Sequence, residues 1–157
     1  LYKKCVINRP NSKCYNTACV SNDYKQENIM GDFNLHGIKS LMSSINGVRR
    51  NEQAEEEMIS VKARTLTDIL DESVISQPID LLSLDVEGYE FNVLNGLDLD
   101  KYRPSFLLIE IYRWDFEKMV EFLKKHNYTL KANFSQYNKP QHPMWDGTHN
   151  DFLFQAD

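Results

Sequence analysis

Residues 79–97 constrain the fold of this chain more than any other stretch. Ile79-Asp80-Leu81-Leu82-Ser83-Leu84-Asp85 is a short, nearly continuous apolar run entered from Pro78. A strand buried on both faces of a parallel sheet reads this way, because neither face meets water. Val86-Glu87-Gly88 then turns the chain, and 89–97 predicts a helix with Phe91, Val93, Leu94 and Leu97 available for packing. Pro104 admits a second buried strand over 106–112. The clearest helix comes next, over 115–126, where Phe116, Met119, Val120 and Leu123 recur on one face and Glu121 and Lys125 pair on another. Strands alternating with helices imply right-handed crossovers, hence an α/β fold with a mostly parallel sheet and helices on its faces.

The flanking segments are expected to extend this pattern. Residues 1–8 read as a helix stopped by Arg9-Pro10. A strand is expected over 13–20, a turn at Ser21-Asn22-Asp23, and a short strand over 29–35. Residues 37–47 read as a loop with one helical turn, and 49–57 as a solvated acidic loop ending in Glu55-Glu56-Glu57. A strand at 58–63 precedes a short helix with Leu66, Ile69 and Leu70, capped by Thr65 or Thr67. Strands at 128–134 and 151–154 close the chain, separated by a loop over 138–150.

Composition sets outer limits. A length of 157 residues suits one domain with a sizeable core, and 41% hydrophobic residues argue against wholesale disorder. The net charge of −5 supplies no electrostatic reason to bind nucleic acid or anionic membrane. No apolar run approaches the roughly 20 residues that span a bilayer. Cys5, Cys14 and Cys19 make no C-x-x-C pair, and an odd number of cysteines favours reduced thiols and a cytoplasmic setting. The sequons at Asn127 and Asn133 are read as structural. The glycines, 6 in all, never fall as G-x-G, so no glycine-rich phosphate cradle is present in the sequence. Leu1 and the helix-like residues after it imply that a segment is missing upstream.

In open α/β sheets ligands bind beyond the carboxyl ends of the strands. That rule selects Asp85 with Glu87 after one strand, and Glu110 with Tyr112 at the end of the next. Asp85, Glu87 and Glu90 fall within six residues at a strand-to-helix junction. A purely structural reading is available, since Glu90 suits the helix dipole and Gly88 a turn of positive φ. Asp85 points toward function, because a charge ending an apolar run needs a purpose. The histidines His36, His142 and His149 are read as loop residues, and His126 as a helix end. His142 and His149 lie within reach of an acceptor pocket, with Trp145 as a stacking wall, whereas Trp114 is read as packing at the start of its helix.

Asp80-Leu81-Leu82-Ser83-Leu84-Asp85-Val86-Glu87-Gly88-Tyr89-Glu90, together with Val93-Leu94-Asn95-Gly96, resembles the signature of the FkbM-type methyltransferases. Residues 61–70 resemble the strand and helix before that signature. Tyr102-Arg103-Pro104 with Leu108-Ile109-Glu110 resembles the segment after it. Asn16-Thr17-Ala18-Cys19-Val20-Ser21 resembles the segment after the family's third strand, and Asn150-Asp151-Phe152-Leu153-Phe154 its closing strand. The resemblance covers nearly the whole chain. It implies a Rossmann-like class I methyltransferase fold using S-adenosylmethionine, in a single partial domain over 1–157. The first strands and the D-x-G-A-N-x-G cofactor loop are absent from the sequence, so the chain alone is expected to bind cofactor poorly.

By resemblance, Ala18 and Cys19 lie near the adenine, and Asp85 near the methyl group and acceptor. Asp85 is the first candidate for general base or substrate anchor and Glu87 the second. Glu110, Tyr112 and His149 are candidates for holding a small-molecule acceptor, a hydroxylated metabolite such as a sugar. No metal site is expected in that reading. Two rivals stand beside it. One is a metal-dependent nuclease or phosphatase-like hydrolase using Asp85, Glu87 and Glu110. The other is a non-catalytic interaction module.

Overall fold

Residues 2–33, 45, 57–73 and 78–157 are described by the computed structural model. Their elements run α1 (Tyr2–Asn8), β1 (Ala18–Val20), β2 (Asn28–Phe33), β3 (Glu57–Thr65) and α2 (Leu66–Ser73). Next come β4 (Leu81–Leu84), α3 (Glu90–Asn95), β5 (Phe106–Tyr112), α4 (Phe116–Lys125), β6 (Tyr128–Asn133) and β7 (His149–Ala156). Leu35, His36 and the expected loops over 37–47 and 49–56 lie outside the described residues, apart from Ile45.

Two sheets form, ordered β1-β3-β2 and β4-β5-β7-β6. β1 runs parallel to β3, and β4 parallel to β5. β2 is antiparallel to β3, and β7 is antiparallel to both β5 and β6. The expected mostly parallel sheet is therefore corrected to a mixed α/β arrangement. The connections give the reason. α3 carries the chain back between β4 and β5, whereas residues 134–148 contain no helix, so β6 and β7 pair as a long-looped hairpin. β6 thus runs with β4 and β5, and β7 is the reversed strand among them. Lys131 is the extra residue where the β6–β7 register shifts between Leu130 and Ala132.

Two strands are shorter than their patterns predict. β4 covers only 81–84, and it is not buried on both faces: Leu81 is 52% exposed. It stands at the edge of its sheet, paired with β5. The strand expected over 13–20 shrinks to Ala18–Val20 because its first half is fastened elsewhere. Lys13 Nζ donates to the Ser73 carbonyl and the Tyr15 hydroxyl meets Ser73 Oγ, each at 2.6 Å.

The helices obey their local chemistry. Thr65 Oγ1 accepts the Asp68 N–H at 3.1 Å and so caps α2. Thr67 instead accepts the Asp98 N–H at 2.7 Å and donates to the Gly96 carbonyl at 3.0 Å, tying α2 to the end of α3. α4 buries Met119 and Leu123 and carries the Glu121–Lys125 ion pair at 2.9 Å on its exposed side. Leu94, Leu107, Ile109, Leu123 and Phe154 are fully buried in the core. Each such side chain stabilises by roughly 1.5–3 kcal/mol. Gly96 lets α3 press on β1: a Cβ there would sit 2.0 Å from the Val20 carbonyl oxygen.

Candidate active site

The D-V-E-G turn is built by Glu90. Its side chain is 4% exposed, and Oε1 accepts the N–H groups of Val86 at 2.9 Å and Gly88 at 3.2 Å. Burial pushes the Glu90 carboxyl above its ordinary range; the backbone N–H groups of Val86, Glu90 and Gly88 act against this, and the Asp85 charge adds to it. Inside the turn Glu87 and Gly88 have φ of 57° and 94°. Two successive left-handed residues suit glycine but strain glutamate. A helix-dipole role for Glu90 is thus only part of its work: it folds back to hold the loop that presents Asp85 and Glu87.

Asp85 lies exposed just beyond the end of β4. Glu87 is half-buried and receives the Tyr112 hydroxyl at 3.2 Å. That bond joins the two strand ends selected from sequence. The register of β5 with β7 supplies the next partner. Tyr112 faces His149 directly, and Glu110 sits two residues back on the same side. His149 Nε2 lies 3.3 Å from Glu110 Oε1, and its Nδ1 meets Thr148 Oγ1 at 3.0 Å and Asp146 at 3.6 Å. Glu110 is buried at 8% exposure. Glu87, Glu110, Tyr112 and His149 therefore form one cluster, and His149 opens β7 rather than sitting in a loop.

Aromatic rings surround this cluster. Trp114 stacks on Tyr112 at 5.0 Å and 30°, and stays 61% exposed. Trp114 thus packs just before the start of α4, as expected, while much of its ring stays open to solvent. Tyr112 and His149 lie 5.5 Å apart, and Tyr137 stands edge-on to His149 at 6.2 Å and to His142 at 5.1 Å. Trp145 Nε1 donates to the His149 carbonyl at 2.8 Å. The role of Tyr137 was missed in the sequence, since its loop position carries no periodic signal.

Ala18 and Cys19 lie in the other sheet, paired with Ala63 and Arg64 of β3. Both pack half-buried against the core. α3 links this region to the D-V-E-G turn. Asn22 N–H reaches the Asn95 carbonyl at 3.4 Å. The Tyr89 hydroxyl has its pKa raised by burial, then by Tyr24 and Asp23 beyond the end of β1. The hydrolase alternative needs three carboxylates around one ion. Glu87 meets Tyr112 and Glu110 meets His149 instead, and among the described residues no group of three or more His, Cys, Asp or Glu side chains is arranged to hold a metal.

No helix among the described residues is long and apolar enough to cross a membrane. A comparison with protein families matches residues 3–130 to the FkbM methyltransferase domain, a span that ends inside β6, before the strand carrying His149. No curated protein and no solved structure gives a significant match. A match over most of the chain, one that includes the strand, turn and helix shaping the carboxylate cluster, shows that this chain belongs to the FkbM methyltransferases.

Proposed function

We propose that the chain serves an S-adenosylmethionine-dependent O-methyltransferase of Rossmann-like, class I type, acting on a hydroxyl of a sugar or related small metabolite. The observation that carries this is the Tyr112–Glu87 hydrogen bond, which gathers the turn after β4, the end of β5 and the His149–Glu110 pair at one place. S-adenosylmethionine fits the chemistry of the residues present. Ala18 and Cys19 offer a half-buried wall for the adenine, and the exposed Asp85 carboxylate offers charge for the cationic end. When bound, the cofactor supplies an electrophilic methyl group on a sulfonium.

The chain's own residues have two tasks. The first is positioning, the larger contribution to a methyl transfer that needs in-line approach. Glu87, Glu110 and His149 present acceptors and donors to hydroxyls, and Trp114 offers an exposed ring face against which the apolar face of a sugar can lie. The second is removal of the hydroxyl proton, which falls to Asp85, with Glu87 next to it in the same turn. Glu87 is half-buried and already receives Tyr112, which suits it to anchoring; Asp85, exposed, suits a base that returns its proton to water.

Because the chain alone is expected to bind cofactor poorly, the test uses the full-length protein that carries it: incubation with S-adenosylmethionine and a panel of hexoses and pentoses, then mass spectrometry. A product heavier by one methyl group, lost in Asp85→Asn, supports it. No product, together with no heat in calorimetry at millimolar cofactor, overturns it.

A further inference from the structure

Cys5 and Cys14 bring their sulfurs to 3.4 Å although nine positions separate them. Both are free thiols. The turn after α1, closed by the Ser12 N–H on the Arg9 carbonyl at 3.0 Å, folds the chain back along the helix. Cys14 then sits between two residues that are clamped to α2, Lys13 and Tyr15, both through Ser73. Among the described residues, α1 shows no such mounting. None of its residues is buried, and Ile7 is 75% exposed. Both sulfurs also line an open cleft of about 800 Å³ with Tyr2, Asn8 and Arg9, so a small reagent can reach them.

We propose that Cys5 and Cys14 form a thiol–disulfide site that reacts with low-molecular-weight disulfides such as oxidised glutathione and pins α1 to the segment leading into β1. The Cys5 thiolate attacks one sulfur of the reagent. A mixed disulfide forms at Cys5 and one reagent thiolate leaves. Cys14 gives its proton to solvent, attacks the Cys5 sulfur and expels the second reagent thiolate. Two protein thiols thus lose two protons and two electrons, and the reagent disulfide gains them as two thiols.

The hydrogen bond with Cys5 is the main cause that raises the Cys14 thiol, with burial second. Loss of that bond in the mixed disulfide suits Cys14 to the second step. Bond formation draws the sulfurs in to about 2.05 Å, a movement an exposed helix makes without disturbing the core. Cys19 stands apart, half-buried against the core on β1, its thiol raised by burial.

Intact-mass spectrometry after treatment with oxidised glutathione tests this. The product is expected to lose two hydrogens, to keep one alkylatable thiol at Cys19, and to yield a linked peptide pair holding Cys5 and Cys14. Tryptic cleavage at Lys3 and Lys4 is expected to slow at least about fivefold in the oxidised form, because α1 opens less often. Cys5→Ser, which removes one exposed sulfur and no core contact, is expected to stop at a glutathione adduct on Cys14. Three alkylatable thiols after treatment, a bridge to Cys19, or unchanged cleavage at Lys3 and Lys4 would each overturn the proposal.

Discussion

Tyr112 and Glu87 are joined by a hydrogen bond of 3.2 Å across 25 positions of sequence, so the end of β5 and the turn after β4 are one structure. Tyr112→Phe keeps the ring between Trp114 and His149 and removes the donor. Stability is expected to fall by about 1 kcal/mol. kcat/KM for methyl transfer is expected to fall about tenfold, through a displaced Glu87. Thermal melts and initial rates on the same preparations check both; a full-rate Tyr112→Phe would leave the bond without a role in positioning.

Asp85 is exposed at the mouth of the sheet, so its contribution to stability is small. Asp85→Asn is expected to leave stability within about 0.5 kcal/mol and to lower kcat by about a hundredfold. A variant that melts normally and transfers methyl at the parent rate would remove Asp85 from the role of base.

Trp114 separates a binding contribution from a catalytic one. Its stack on Tyr112 leaves it 61% exposed, so Trp114→Ala removes ring surface without opening the core. The acceptor KM is expected to rise about tenfold, with kcat nearly unchanged, and Trp114→Phe is expected to recover most of the loss. Unaltered acceptor KM in Trp114→Ala would mean that this ring face is not used.

Glu90 yields a pH prediction whose sign is set by burial. Its folded carboxyl is raised above the unfolded value, so between those two values the folded state holds more protons than the unfolded one. Stability attributable to Glu90 is therefore highest below the unfolded value near 4.5 and declines as pH rises through the folded value. Glu90→Gln keeps an oxygen for the Val86 and Gly88 N–H groups and cannot ionise. Denaturant titrations from pH 4 to pH 8 are expected to show the variant gaining on the parent as pH rises. A constant difference across that range would mean the carboxyl is not raised.

Gly96→Ala tests the contact between α3 and β1. The new methyl would lie 2.0 Å from the Val20 carbonyl oxygen, which is backbone and cannot rotate away. A loss of about 3 kcal/mol is expected from the forced separation, read as a shifted urea midpoint.

Much of this was legible in the sequence, for identifiable reasons. The stripe of Phe116, Met119, Val120 and Leu123 foretold α4, and the apolar run 106–112 foretold β5, because each pattern has one period only. Direction was not legible. The loop over 138–150 between the last two strands was read from the sequence, but not its consequence, that without a crossover helix they pair antiparallel. Within the site, Asp85 and Glu87 could be selected because strand ends hold ligands, yet the His149–Glu110 pair depends on register between β5 and β7. Trp114 was read as packing at the start of its helix, and it does stack on Tyr112 two residues back, but the sequence did not show that its ring would stay 61% exposed. Glu90 was half seen, since spacing shows a first-turn carboxylate but not that its side chain folds backward.

The place of β7 also has a consequence for how the molecule assembles. β7 lies between β5 and β6 and supplies the described ladder for β6 and one side of the ladder for β5. During synthesis β4 and β5 can pair as soon as both have emerged, but β6 must wait for residues 149–156. Until then β5 and β6 each expose a strand edge that invites pairing with another chain. Overproduction at high temperature should therefore fail by aggregation of nascent or nicked chains, and a single cut in 134–148 after folding should be far better tolerated than loss of 149–156 before it.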